Sequence, residues 1–190
     1  MEMSISVVKG HGSMSHNNRD FITPNVDLDR VKDNIIYKCE PLEQAYKNCF
    51  SQAIEEYNLK QKRADRRIDG ITGYMAQIRN SKNGEKLYYE TVIQIGNKFD
   101  CSVGSIKADL AKRVLNDFMQ DFSERNPNLY VFNAVLHMDE ATPHLHIDYI
   151  PVAHGYQKGL QVRNSLDKAL KEQGIDGKAT KRENSTHNWQ

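Results

Sequence analysis

No apolar run in this chain approaches the roughly 20 residues that a membrane-spanning helix needs. The N-terminal "MEMSISVVKG" also lacks the apolar core of a secretory signal. Neither insertion nor secretion is suggested, and the expected compartment is the cytoplasm. Cysteine is scarce: Cys39, Cys49 and Cys101 are odd in number and far apart, with no paired spacing. That pattern excludes a disulfide framework and a thiolate zinc site, and leaves three small, buried hydrophobes as the expectation. Excess charge is missing too, since 26 Lys and Arg against 25 Asp and Glu give a formal +1. No global electrostatic attraction to nucleic acid follows, so any basic surface must come from local clustering. There is no internal repeat and no low-complexity tract. The 190 residues are expected to form a single domain, 1–190, with 176–190 as a poorly ordered tail.

Clustering is present in "LKQKRADRR" (59–67), where Lys60, Lys62, Arg63, Arg66 and Arg67 are opposed only by Asp65. It is either a solvated connector or a phosphate-binding edge. A second basic stretch, "GKATKRE" (177–183), falls in the tail.

Periodicity supplies the frame. Leu42, Ala45, Tyr46, Cys49, Phe50, Ala53, Ile54 and Tyr57 follow the three-and-four spacing of one helical face. Ile106, Leu110, Val114, Leu115, Phe118, Met119 and Phe122 mark a second long helix, and a short one opens at Ser165 and closes at Gly174. "MSISVVK" (3–9) and "KLYYETVIQIG" (86–96) carry the β-branched and aromatic content of strands. Strands and helices without regular alternation predict an α+β fold with a largely antiparallel sheet.

The segment "LHMDEATPHLHIDYIP" (136–151) holds three histidines and several acids. "LYVFNAVLH" (129–137) and "HLHIDYIP" (144–151) are strand-like and joined by only six residues, a plausible antiparallel hairpin. Alternation puts His144 and His146 on one face, with Leu145 and Ile147 turned to a core. If the hairpin pairs His137 with His144, their β-carbons lie about 5 Å apart on that face. Three neutral imidazoles then leave a divalent metal with open positions for water or substrate, the arrangement of a catalytic site. Asp139, Glu140 and Asp148 are candidate acids around it, although the loop acids Asp139 and Glu140 equally suit a solvated turn. Glu90, in "YYETV", is a further acid on a strand, a type of position that is usually an exposed face.

The decapeptide "HMDEATPHLH" (137–146) resembles the histidine motif of the HUH relaxases, specifically the MobV group of Mob/Pre plasmid mobilisation and recombination proteins. "SHNNR" (15–19) resembles the N-terminal His-Asn-x-Arg motif of the same group, in the expected order. The resemblance implies a five-stranded antiparallel sheet flanked by helices. It also implies nicking of one DNA strand at an origin of transfer, through a covalent protein–DNA intermediate, with manganese or magnesium in use. On ligand preference alone, three histidines suit zinc, nickel or copper. By that resemblance His137, His144 and His146 hold the metal, His16 is the nucleophile, Arg19 grips the phosphate and Glu140 fixes the His16 tautomer. The implied partners are single-stranded or hairpin origin DNA and other relaxosome or coupling proteins. Family members usually continue into a further helical region, so the chain is expected to be the N-terminal part of a longer protein.

One departure stands out. Many relatives carry a tyrosine directly after an asparagine downstream of the first motif, whereas Asn34 is followed here by Ile35, with Tyr37 two residues later. Most HUH enzymes attack with tyrosine, which makes Tyr37 the alternative nucleophile. Three rival readings share the histidines: a rolling-circle replication initiator, a domain merely stapled by its metal, and a zinc hydrolase for a small substrate.

Overall fold

The computed structural model describes residues 3–175; the basic stretch 177–183 and the expected tail 176–190 lie outside the described residues. Five strands lie in the order β1-β3-β5-β4-β2: β1 (Ile5–Lys9), β2 (Ile35–Cys39), β3 (Tyr89–Ile95), β4 (Leu129–His137) and β5 (His144–Ala153). A two-residue strand, β6 (Arg163–Asn164), pairs off this path with β5, giving six in all. The β1–β3, β3–β5, β2–β4 and β5–β6 pairings are antiparallel. The expected α+β fold with a five-stranded antiparallel sheet is therefore present, with one short strand added.

The described residues cluster into two compact units. The first comprises 3–39, 89–125 and 131–149, and the second 40–88, 126–130 and 150–175.

In the first unit, α4 (Ile106–Gln120) follows β3, and the short α5 (Phe122–Arg125) follows α4. Ser105 caps α4 by accepting the Ala108 N–H at 3.2 Å, which satisfies one of the orphan donors of the first turn. The buried stripe of α4 is Ala108, Ala111, Leu115 and Met119. Ile106, Leu110 and Val114, expected on the core face, are exposed. The pattern of large side chains misled because small alanines occupy the core-facing line, where a helix can approach its neighbours closely. The histidine-bearing strand fits its expectation: Leu145 and Ile147 are fully buried, as alternation requires.

In the second unit, α2 (Leu42–Leu59) buries Ala45, Tyr46, Phe50, Ala53 and Ile54, most of the stripe read from the sequence. It packs against α3 (Gly70–Arg79), whose ring from Tyr74 lies 5.1 Å from Phe50 and 6.2 Å from Tyr46. Helix α3 is absent from the periodic reading because two glycines and a threonine, all weak helix formers, break its apolar pattern. Asn164 locks this core, donating to the Tyr46 hydroxyl at 2.8 Å and to the Leu87 carbonyl at 3.0 Å. Helix α6 (Leu166–Glu172) sits between Ser165 and Gly174, as read from the sequence.

The cysteine expectation holds only in part. Cys101 is buried, but Cys39 is exposed and Cys49 half-buried, since an end position on β2 and the flank of α2 both face outwards. No helix among the described residues is long and apolar enough to cross a membrane.

Candidate metal and nucleophile site

All side chains of the site belong to the first unit. Strand β4 ends on His137 and β5 begins on His144, with residues 138–143 turning between them. The rings of His137, His144 and His146 converge with centroid separations of 5.1 Å (137–144), 4.9 Å (137–146) and 5.0 Å (144–146). Alternation along β5 and the short turn thus do what the sequence predicts: three imidazoles share one place, and all three are buried.

Hydrogen bonds fix which nitrogen of each ring carries its lone pair. His144 Nδ1 lies 2.8 Å from the Thr142 carbonyl, which can only accept, so Nδ1 bears the proton and Nε2 the lone pair. His146 Nδ1 lies 2.6 Å from Glu90 Oε1, and its buried Nε2 has no partner. His137 donates from Nε2 to the Asn17 carbonyl at 2.8 Å, leaving Nδ1 to accept from Arg19 Nη2 at 2.9 Å. Burial, reinforced by the charges of His146, His144 and Arg19, holds His137 well below its usual range despite the Asn17 bond. Burial likewise lowers His144. A lone pair aimed into the cluster is what metal ligation requires, and a buried imidazole nitrogen without a partner is a donor that a cation satisfies. The residues present therefore fit a divalent metal.

Behind the rings lies a set of groups that sequence reasoning underrated. Glu90 is buried on β3, not on an exposed face, because β3 pairs β5 with Glu90 opposite Asp148 and Val92 opposite His146. Burial alone would raise its carboxyl. Bonds from His146, from the Gly12 N–H at 2.7 Å and from Asn17 Nδ2 at 2.7 Å override that and bring it down to about 2. Gly10 is needed here: a β-carbon at that position would overlap the Glu90 carboxylate. Asn17 ties the layer together, since its amide also donates to Asp148 Oδ2 at 3.0 Å while its carbonyl holds His137. Its only signal in the sequence was its place as the second residue of "HNNR". Asp148 accepts from Asn133 as well, at 2.9 Å, yet burial and the nearby Glu90 push its carboxyl up to about 6.

Helix α1 (Met14–Asn17) and the turn after it bring the N-terminal motif to this place. His16 lies with its ring 5.9 Å from His137 and 6.0 Å from His146, and it is partly open to solvent. His16, His137 and His146 offer ligand atoms within 4.8 Å of one another, as do His137, Glu140 and His144. Glu140 Oε1 stands at the centre of the group, 3.4 Å from His16 Nε2, 3.8 Å from His137 Nδ1 and 4.0 Å from His144 Nε2.

Arg19 is the hub of the charges. It donates from Nε to Asp139 Oδ2 at 2.8 Å and from Nη2 to Asp139 Oδ1 at 2.5 Å and Glu140 Oε1 at 2.8 Å. Its backbone sits at φ 58, a left-handed conformation that costs a non-glycine residue about 1 kcal/mol or more. Asp139 is fully buried, not solvated, and Asn34 completes its coordination from 2.7 Å while accepting the Met138 N–H at 2.6 Å. The motif asparagine before the expected tyrosine thus fastens the turn that carries Glu140.

Tyr37 stands elsewhere. Its hydroxyl donates to Asn116 of α4 at 3.1 Å, and burial, with the charge of Asp117, pushes the phenol up to about 12. The basic residues Lys60, Lys62, Arg63, Arg66 and Arg67 belong to the second unit, where all five are exposed. Arg63 is tied to Asp65 by two bonds of 3.0 and 2.6 Å, and Arg67 reaches the Gln61 carbonyl at 3.3 Å.

The profile of the Mob_Pre family, plasmid recombination enzymes, matches residues 38–186. The chain belongs to that family. Among solved structures, this plasmid recombination enzyme is similar to the MobM relaxase domain (MOBV; Mob_Pre) bound to 22-nucleotide oriT DNA of plasmid pMV158, manganese-bound at pH 5.5. That match has 18% identity over 85% of this chain and 74% of the other, with a TM-score of 0.41. A second structure of that domain with the 22-nucleotide DNA and manganese, at pH 4.6, matches at 18% identity over 83% and 75% of the two chains, with a TM-score of 0.43. No curated protein matches the enzyme.

Proposed function

We propose that this plasmid recombination enzyme is a relaxase that nicks and rejoins one strand at an origin of transfer, acting on plasmid DNA in the cytoplasm. The observation that carries this reading is the convergence of three imidazoles, at centroid separations of 4.9 to 5.1 Å, beside a fourth histidine. His137, His144 and His146 would hold a divalent metal through Nδ1, Nε2 and Nε2. Manganese fits the manganese-bound MobM domain. Such an ion would supply Lewis-acid polarisation of the phosphoryl oxygens of the scissile diester.

His16 attacks. One ring nitrogen keeps a proton that Glu140, 3.4 Å from Nε2, can accept, and the other supplies the lone pair that forms a nitrogen–phosphorus bond as the bond from phosphorus to the departing sugar oxygen breaks. That oxygen takes a proton from solvent, and the imidazolium left on the enzyme is stabilised by Glu140. Arg19, clamped to Asp139 through Nε and Nη2, presents its remaining Nη1 edge beside His16 for the equatorial phosphate oxygens. The second turn of chemistry is the reverse: the freed hydroxyl attacks the phosphohistidine and the strand is resealed. Incubation of the chain with single-stranded origin DNA and manganese, followed by denaturing electrophoresis, tests this directly; shortened product and a protein-linked strand are expected, and intact DNA overturns the assignment.

Tyr37 makes a clean contrast. With its phenol near 12, the reactive phenolate is only about one part in 10⁴ at pH 8. Tyr37→Phe is expected to nick within about threefold of the parent, since loss of one partly buried hydrogen bond touches stability and not the site. A tyrosine attack would instead make the rate climb tenfold per pH unit up to about pH 12 and vanish in the variant.

The exposed segment 59–67 is proposed to contact DNA phosphates. Because Asp65 already engages Arg63, Lys60, Lys62, Arg66 and Arg67 carry most of the available charge. Replacing Arg63 and Arg66 by Glu should weaken binding to strands of any sequence and lower the slope of log affinity against log salt by about one, the contact that Arg66 makes. An unchanged slope would make the segment a solvated connector.

A further inference from the structure

The second unit contains a cavity of about 280 Å³ walled by Tyr57, Ile68 and Tyr74, with Arg66, Gln77 and Arg163 at its edge. None of these residues takes part in the histidine site. Arg163 is held in place from three sides. Its Nε donates to the Leu160 carbonyl at 2.9 Å, and its guanidinium lies 4.1 Å from the centre of the Tyr156 ring. Gly159, at φ 74, makes room for it, because a β-carbon there would come within 2.7 Å of Nη2. Arg19, Arg30, Arg63 and Arg125 all pair with carboxylates. Among the described residues neither Arg163 nor Arg66 has such a partner, so two guanidinium groups face the cavity with their charge uncompensated. An arginine fixed in position but left unpaired has already lost the rotamer freedom that anion binding costs.

The floor adds a donor. The Tyr74 hydroxyl accepts the backbone N–H of Asn164 at 2.9 Å, so its own proton is directed elsewhere. Burial, with the charge of Glu85 nearby, keeps that proton on the phenol, raised to about 12. A tyrosine ring on the wall, a phenol at the floor and guanidinium groups at the rim suit a planar base joined to an anion, since stacking supplies sequence-tolerant affinity and the forks recognise phosphate. The volume is close to the roughly 300 Å³ at which small-molecule sites begin.

We propose that this cavity binds one nucleotide, its phosphate on Arg66 and Arg163 and its base against Tyr57 and Tyr74. The reading of the chain as a DNA relaxase makes a nucleotide of a bound strand the expected source, although a free mononucleotide presents the same chemistry. The test is a titration of the full chain, followed by NMR, with thymidine 5′-monophosphate, thymidine, inorganic phosphate and a short single-stranded oligonucleotide lacking origin sequence. The variants are Arg163→Ala and Gln77→Glu; the second puts a negative charge at an exposed rim position and leaves the packing alone. Thymidine monophosphate or the oligonucleotide should bind at least about tenfold more tightly than thymidine or phosphate, and both variants should lose about tenfold of that affinity. A response confined to the oligonucleotide identifies the strand as the source, and one confined to the mononucleotide identifies the free ligand. Equal affinity for phosphate and nucleotide, or affinity unchanged in both folded variants, overturns the proposal. Manganese-dependent cleavage of saturating origin DNA should persist in both variants. Its absence in the parent chain would remove the relaxase reading without touching the nucleotide titration.

Discussion

A His16→Ala variant is expected to bind origin DNA at close to parental affinity and to form no covalent adduct, with nicking reduced on the order of 10⁴-fold or more. The expectation rests on placement. His16 is the imidazole of the cluster most open to solvent, its ring 5.9 and 6.0 Å from His137 and His146, and its Nε2 faces a carboxylate 3.4 Å away. A histidine can attack through one ring nitrogen while the other keeps its proton, so it needs no separate base to create the nucleophile. The adduct in the parent chain should be a phosphoramidate, which mild acid cleaves, whereas a phosphotyrosine ester survives. Trapping the protein–DNA complex, exposing it to acid and mapping the modified peptide reads both properties at once. An acid-stable adduct on Tyr37, or undiminished cleavage by His16→Ala, would move the nucleophile and leave the metal assignment standing.

His146→Ala should lower metal affinity and nicking together, by at least the 10- to 100-fold or so that disturbing a ligand's supporting partner costs. It removes the one buried ring nitrogen of the triad that has no other partner. Glu90→Gln separates ligation from support. The amide keeps one acceptor oxygen, for Asn17 and His146 or for the Gly12 N–H, and no longer holds an anionic oxygen 2.6 Å from His146 Nδ1. Its metal affinity should fall by about 10- to 100-fold, with the folded spectrum retained and activity recovered at high manganese. Calorimetric metal titration beside a nicking assay distinguishes the two variants, and a fully active triple-alanine variant of His137, His144 and His146 would refute the metal site.

How much of this was legible depends on the distance over which each feature is encoded. The convergence of His137, His144 and His146 is local: strand alternation and a six-residue turn dictate it. The same alternation buried Leu145 and Ile147. Glu90 was underrated because its environment comes from a strand 56 residues away in sequence, and no periodicity announces that β3 will pair with β5 rather than with β4. Asn17 and Asn133 were missed for a related reason. A buried amide is recognised by what it bonds, and Asn17 bonds residues 73 and 131 positions distant. Helix α3 escaped because glycine blurs a short amphipathic pattern, and α4 turned a different face inwards because alanine marks close packing without looking hydrophobic. The N-terminal motif became interpretable only through its resemblance, since "SHNNR" by itself has the composition of a surface turn.

The ring nitrogens of the three clustered histidines that point away from one another are held by the chain itself, through Thr142, Glu90 and Asn17. Apart from the Arg19 bond to His137 Nδ1, which an ion would displace, the proposed socket therefore stands assembled before an ion arrives, and its walls do not depend on the ion for cohesion. Chelation should empty it without melting the protein, and different divalent ions should be exchangeable through it in minutes. In a cell, the metal at work would then be chosen by supply and lability more than by any selectivity of the pocket.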